Sequence, residues 1–241
     1  MGGYIDMHTH LLPGFDDGAK EAAESLEILF QARQAGFDGI AVTPHVMVGV
    51  YEPTRAAVDE AIRLLLERTR LEMPGLVLHP GAEYYLDDHF YQRLEAGRID
   101  PLAGGTHVLV ELPLLKLPPL TKEFAFRIRI KGFVPILAHP ERYADVGREP
   151  RLAEMLTHAG YRLQINLGSL TGMYGRKARK AAEWMLKHEL VDFVGSDAHT
   201  PKQAMEAFGA GLEELRELVG EAELDRLLIA NPAEALGGKE T

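Results

Sequence analysis

The 241 residues carry 26 Lys and Arg against 36 Asp and Glu, a formal net charge of −10, and 46% of positions are hydrophobic. That is too apolar for a disordered chain, and the acidic balance argues against broad binding to nucleic acid or anionic lipid while leaving room for a local cationic site. Cysteine is absent, which excludes disulfides, thiolate metal sites and every mechanism with a cysteine nucleophile.

Taken in chain order, the apolar run Tyr4–Met7 ends in His8-Thr9-His10 and is followed by an amphipathic helix over Ala19–Ala35 that Gly36 stops. Gly39–Val42 ends in Thr43-Pro44-His45 and leads to a helix over Ala56–Leu71, stopped before Pro74. Leu76–His79 passes through Pro80-Gly81 to Glu83, with a helix over Asp87–Ala96. His107–Val110 ends in Glu111 and runs into the Pro-rich stretch Leu112–Leu120, which reads as a wall or lid, or as a plain connection. A helix over Thr121–Lys131 precedes Val134–Ala138, which ends in His139. A helix over Pro150–Ala159 precedes Arg162–Ile165, which ends in Asn166. After a helix over Arg176–His188, Val191–Val194 ends in Gly195-Ser196-Asp197-Ala198-His199. Helices over Lys202–Leu218, Glu223–Leu228 and Pro232–Leu236 close the chain.

Short, nearly continuous apolar runs alternating with helices suit parallel strands covered on both faces, and predict an α/β barrel of about seven strands. One domain over residues 1–241 fits, because such a barrel of roughly 250 residues commonly forms a single unit. Met1–Leu12 lacks a basic region followed by a signal-like apolar stretch, and no run approaches ~18 uninterrupted apolar residues, so a soluble cytoplasmic protein without membrane insertion is expected.

Metal-capable side chains recur at the carboxyl ends of these runs, the face on which β/α barrels build their sites. His8 and His10 share one side of an extended segment, so both imidazoles can reach one ion, and Asp197 and His199 repeat that spacing. His45, Glu83, Glu111 and His139 occupy four further strand ends. His89, His158 and His188 fall in helices and read as surface residues; His79 and His107 read as packed or capped. Asn166 is a poor metal ligand and reads as a hydrogen-bonding group.

These motifs, together with Leu12-Pro13-Gly14-Phe15-Asp16-Asp17-Gly18-Ala19, Gly81-Ala82-Glu83 and His139-Pro140-Glu141-Arg142-Tyr143, resemble the PHP (polymerase and histidinol phosphatase) superfamily. The opening and the His-Pro-Glu-Arg segment are most similar to the CpsB/CapC/YwqE-type bacterial protein-tyrosine phosphatases. The resemblance implies a distorted (β/α)7 TIM-like barrel holding about three divalent ions, manganese before iron, zinc or cobalt. One ion would be bound by His8, His10, Glu83 and Asp197, a second by Glu83, Glu111 and His139. A third would take His45, His199 and an aspartate of the Asp16–Asp17 pair, with Asp17 favoured. Arg142 would grip the substrate phosphate through paired hydrogen bonds; its alternative is an ion pair with Glu141 or Asp145. The second arginine that often follows this family's Asp-Ala-His segment is replaced here by Lys202.

The implied activity is phosphoric monoester hydrolysis of phosphotyrosine by metal-activated water, with Arg142, Asp197 and His199 as catalytic residues and no phosphoenzyme. The implied partner is a phosphotyrosine protein such as the tyrosine-rich tail of a bacterial tyrosine kinase linked to capsule or exopolysaccharide synthesis. Tyr51, Tyr84 and Tyr85 are candidates to pack on the phosphotyrosine ring. Alternatives are a histidinol-phosphate or other small-molecule phosphatase, an amidohydrolase or phosphodiesterase on a related barrel, and a nonenzymatic metal-binding module.

Overall fold

The computed structural model describes residues 3–237. Its strands are β1 (Tyr4–Thr9), β2 (Phe37–Val42), β3 (His45–Val46), β4 (Val77–Pro80), β5 (Glu83–Tyr85), β6 (His107–Glu111), β7 (Val134–Ala138), β8 (Arg162–Asn166) and β9 (Phe193–Gly195). All paired strands are parallel, in a three-stranded sheet β1-β2-β4 and a six-stranded sheet β3-β5-β6-β7-β8-β9.

Every predicted apolar run overlaps a strand, although β4 begins one residue and β9 two residues later than expected. The extra segments arise because β3 and β5 continue β2 and β4 beyond two interruptions. Pro44 has no amide hydrogen to offer a ladder, yet its carbonyl accepts from Glu83 N at 3.0 Å, and Gly81 N donates to the Val42 carbonyl at 2.9 Å. Neighbour contact is therefore kept across the break, and the two sheets join into one curved wall.

The wall returns to its start at the end where the polar residues lie. Thr9 forms a parallel bridge with Ala198, Asp197 N donates to the His8 carbonyl at 2.8 Å, and His10 N donates to the Ala198 carbonyl at 3.1 Å. Gly195 permits this approach, since a Cβ there would stand 2.7 Å from the His8 Cβ. Met7, Leu109, Ile136 and Phe193 pack in one buried cluster although they come from β1, β6, β7 and β9. Strands that are not neighbours can share such a cluster only across the space they enclose. A larger core lies between the strands and the surrounding helices; each fully buried Leu, Ile or Phe contributes about 1.5–3 kcal/mol of transfer free energy.

The helices start where side chains replace missing backbone partners. Thr54 Oγ1 accepts from Ala57 N at 3.3 Å ahead of Arg55–Thr69, and Asp87 accepts from Phe90 N at 2.8 Å ahead of Asp88–Glu95. The predicted helix over Lys202–Leu218 is instead Pro201–Glu206, a π-helical turn over Ala207–Gly211, and Leu212–Val219. At Gly211 the turn lies so near its neighbour that a Cβ would come within 2.8 Å of the Leu167 carbonyl oxygen. Short helices at Ala144–Arg148 and Leu167–Thr171 escape periodicity altogether. Leu112–Leu120 is irregular, as expected.

Candidate metal centre

The predicted ligand set converges at the rim where β9 meets β1. Nε2 of His8 and Nε2 of His10 lie 2.9 Å apart. Oδ1 of Asp197 stands 3.5 and 3.4 Å from them, and Oε2 of Glu83 3.3 and 3.4 Å. Three overlapping groups each bring their donor atoms within 4.8 Å of one another: His8, His10 and Asp197; His45, Glu83 and Glu111; and His10, Asp17, His45 and His199. The first group is the expected first set without Glu83, and the third is the expected third set joined by His10. In the second, His45 stands beside the two glutamates, while His139 approaches through a 3.0 Å contact of its Nε2 with Glu83 Oε1.

Nδ1 of His45, Nδ1 of His139 and Oε2 of Glu83 are buried without a hydrogen-bond partner. The 2.9 Å approach of His45 Nδ1 to Glu83 Oε2 lacks the angle for a hydrogen bond. Each orphaned buried polar atom costs about 1–3 kcal/mol, and a divalent cation satisfies several at once. Nitrogen and carboxylate donors without sulfur fit such an ion.

The carboxylates respond to this crowding in opposite directions. Burial pushes Glu83 and Asp197 upward, but the charge of His8 and the hydrogen bonds of neighbouring imidazoles outweigh it and hold both well below the carboxylate range. Glu111, buried and then repelled by Glu83, is pushed up to about 8. A ring of acids with such divided proton affinity is a functional signature.

Asp16 and Asp17 take different positions. Asp16 Oδ2 lies 2.8 Å from His10 Nδ1 and accepts from His45 N at 2.9 Å, while its Oδ1 accepts from Gly18 N at 2.9 Å. With both oxygens engaged, Asp16 orients His10. Asp17 Oδ1 instead stands 3.5 Å from Nε2 of both His45 and His199. His199 is steadied through Nδ1, 2.9 Å from the Asp197 carbonyl.

Arg142 crosses the mouth. Its Nη1 lies 2.5 Å from Asp197 Oδ2, and its guanidinium sits 4.3 Å above the Tyr174 ring. Asp145 pairs with Arg148 instead, so the alternative ion pair to Asp145 does not form. A cavity of about 240 Å³ is walled by Tyr51, Leu114, Arg142, His139 and His199 among others, which makes the Leu112–Leu120 stretch part of its wall. Tyr51 stacks on His45 with centroids 5.8 Å apart. Tyr84 packs on Phe90 in the core. Lys202 is exposed and off the wall of the adjoining cleft, where Gln203 stands beside Arg142 and Tyr174.

His139 and Asp197 hold left-handed backbone, with φ of 37° and 52°. Non-glycine residues in that region cost about 1–3 kcal/mol and cluster at functional sites. Residues not singled out from sequence also serve the site: Asp6 accepts from Ser196 N at 2.8 Å and fixes the β9 turn, and Glu141 accepts from Ser169 and Asn166. A buried acid inside an apolar strand was the available signal for Asp6. His89, His158 and His188 are exposed, as expected, and His107 is buried.

The family model for capsular polysaccharide synthesis, CpsB/CapC, matches residues 4–237. The chain belongs to the CpsB/CapC family. It is 34% identical over 198 residues to the tyrosine-protein phosphatase YwqE of Bacillus subtilis, covering 82% of this chain and 78% of YwqE. It is 28% identical over 200 residues to the tyrosine-protein phosphatase CpsB of Streptococcus pneumoniae, covering 81% and 82%. A crystal structure from the work on YwqE and pneumococcal CpsB, described as metal-dependent tyrosine phosphatases, superposes with a TM-score of 0.88 at 32% identity, covering 98% of this chain and 95% of that one. Histidinol phosphate phosphatase from Lactococcus lactis shares the fold, with a TM-score of 0.56 at 14% identity over 90% of this chain and 92% of that one. The barrel of this CpsB/CapC chain is thus of the kind found in PHP-type and TIM-like hydrolases. No helix among its described residues is long and apolar enough to cross a membrane.

Proposed function

We propose that this chain is a metal-dependent protein-tyrosine phosphatase acting as a single catalytic domain. The observation that carries the reading is the convergence of imidazoles and carboxylates from successive strand ends beneath one arginine, in a family whose curated members are named tyrosine phosphatases.

His8, His10 and Asp197 with Glu83 would hold one divalent ion, Glu83 and Glu111 with His139 or His45 a second, and Asp17, His45 and His199 a third. Manganese is the favoured metal, ahead of iron, zinc or cobalt. Divalent ions held by these residues would supply Lewis acidity, lowering the pKa of a water and offsetting the charge of a phosphate dianion.

Arg142 takes the phosphate oxygens with its planar fork, exchanging part of its pairing with Asp197 for the substrate. Tyr174 keeps the guanidinium flat, and Asp197 keeps it aimed at the centre. Nδ1 of His199 faces a carbonyl 2.9 Å away and donates to it, which leaves Nε2 as the nitrogen directed to ligation. A phenolate leaving group, with a conjugate acid near ~10, departs with little proton donation. Tyr51 and Leu114 form the apolar sides against which a phosphotyrosine ring packs.

The natural substrate would be a tyrosine-phosphorylated protein in the cytoplasm, with the tyrosine-rich tail of a bacterial kinase of capsule or exopolysaccharide synthesis as the leading class. Phosphate release from a phosphotyrosine peptide and from histidinol phosphate, measured on chelated protein with and without manganese, tests the reading. Manganese-dependent preference for the peptide is expected. Preference for histidinol phosphate would move the same centre to small-molecule hydrolysis.

A further inference from the structure

Gln164 and Asn166 follow Arg162 along one face of β8, while Leu163 and Ile165 occupy the other. Gln164 and Asn166 are fully buried, with 0% exposure, and neither belongs to the ligand set. They link two of its members in a single chain of hydrogen bonds. His8 Nδ1 lies 2.9 Å from Gln164 Oε1. Gln164 Nε2 donates to Asn166 Oδ1 at 2.9 Å and to the Ile165 carbonyl at 2.7 Å. Asn166 Nδ2 donates to Asp197 Oδ2 at 2.7 Å.

The direction of every link is forced. Flipping the Gln164 amide would set its oxygen against the Ile165 carbonyl and Asn166 Oδ1, and flipping Asn166 would set its oxygen against a carboxylate. Gln164 Oε1 can only accept, so His8 must carry a proton on Nδ1, and the neutral ring that ligates a metal then offers its lone pair at Nε2. At the other end, Asp197 Oδ2 receives both Asn166 and Arg142, which leaves Oδ1 as the oxygen 3.5 and 3.4 Å from Nε2 of His8 and His10. The main chain of Asn166 is itself fixed, its N–H donating at 2.9 Å to the buried Glu141, the residue next to Arg142.

We infer that Gln164 and Asn166 are positioning residues that preset the ligating atoms of His8 and Asp197 through this chain and couple the metal end of the site to Arg142. The inference rests on the assignment of His8 and Asp197 as metal ligands. Outer-shell partners of this kind fix imidazole tautomer and orientation, and their loss typically weakens metal affinity about 10–100-fold.

The test uses the full chain stripped with chelator and titrated with Mn2+, following free Mn2+ by electron paramagnetic resonance, with the thermal midpoint of the stripped protein recorded alongside. Gln164→Leu and Asn166→Leu should each weaken the tightest Mn2+ site about 10–100-fold. Unchanged Mn2+ affinity in both leucine variants, with only the stripped-protein midpoint lowered, would reduce the pair to core packing and overturn the inference.

Where a leucine variant fails to fold, nitrogen-15 spectra of zinc-loaded wild type decide the matter: His8 protonated at Nδ1 is expected, and protonation at Nε2 refutes the chain as drawn. Neither readout needs a substrate. Failure of the phosphotyrosine reading would leave these results standing, whereas a wild-type protein that binds neither Mn2+ nor Zn2+ would remove the metal centre and this inference together.

Discussion

Oδ2 of Asp197 accepts from both Arg142 Nη1, at 2.5 Å, and Asn166 Nδ2, at 2.7 Å. The residue proposed to grip phosphate is thus tied to a residue proposed to grip metal, and substrate must draw Arg142 partly away from it.

Arg142→Ala should lower kcat/KM for a phosphotyrosine peptide by about 10²-fold, the order seen when one preorganised donor is removed. Metal content, measured by elemental analysis, should stay at the wild-type value because Asn166 still engages Asp197. Lys202 is exposed and acts only through a screened field, so Lys202→Ala should keep steady-state rates within a few-fold. Loss of metal from Arg142→Ala would recast that residue as structural.

The neighbouring aspartates should separate cleanly. Asp16→Asn keeps an acceptor for His10 Nδ1–H and should cost only a few-fold in activity, whereas Asp16→Ala removes it and should cost about 10–100-fold in metal affinity. Asp17→Asn removes a charged donor from the His45 and His199 group and should lower the number of bound ions, read by elemental analysis. Equal ion counts in wild type and Asp17→Asn would exclude Asp17 as a ligand.

Chelation should abolish hydrolysis and lower the thermal midpoint, since the orphaned buried atoms of His45, His139 and Glu83 lose the partner that satisfies them. Ligand at a hundred times its dissociation constant adds about 2.7 kcal/mol, or roughly 5–10 °C for a chain of this size. Calorimetry with and without added manganese measures the shift. An unchanged midpoint would mean that the strand ends are held without metal.

Burial, reinforced by the Arg162 guanidinium, lowers the pKa of His107 below the ordinary imidazole value. In the unfolded chain this ring takes a proton near ~6.5, so between that value and the lower folded one the unfolded state binds more protons. Its contribution to stability is complete above ~6.5 and is lost as pH falls. The difference in urea midpoint between wild type and His107→Gln should shrink from pH 7.5 to pH 5.5. A difference that is flat or grows on acidification would show that the ring titrates normally or gains an acidic partner.

The parallel barrel was legible because seven short, nearly continuous apolar runs alternate with helical segments, as parallel strands covered on both faces require. The ligands were legible through those runs: a residue at the end of a strand has its place set by the strand. Gln164 and Asp16 were not, because their importance lies in which atom of a neighbour they touch, and no local pattern encodes a contact such as His8 to Gln164 across 156 residues. The break of the last long helix at Ala207–Gly211 was hidden too, since it depends on how closely Gly211 meets Leu167.

The left-handed backbone of His139 and Asp197 bears on any attempt to engineer this chain for heat tolerance. Glycine and asparagine occupy that conformation at least cost, so a search guided by folding free energy alone would nominate both positions for replacement. Either change would relax the chain and delete an imidazole or a carboxylate from the centre. A library built on this scaffold should hold residues 139 and 197 constant and seek its gains on the exposed faces of the helices.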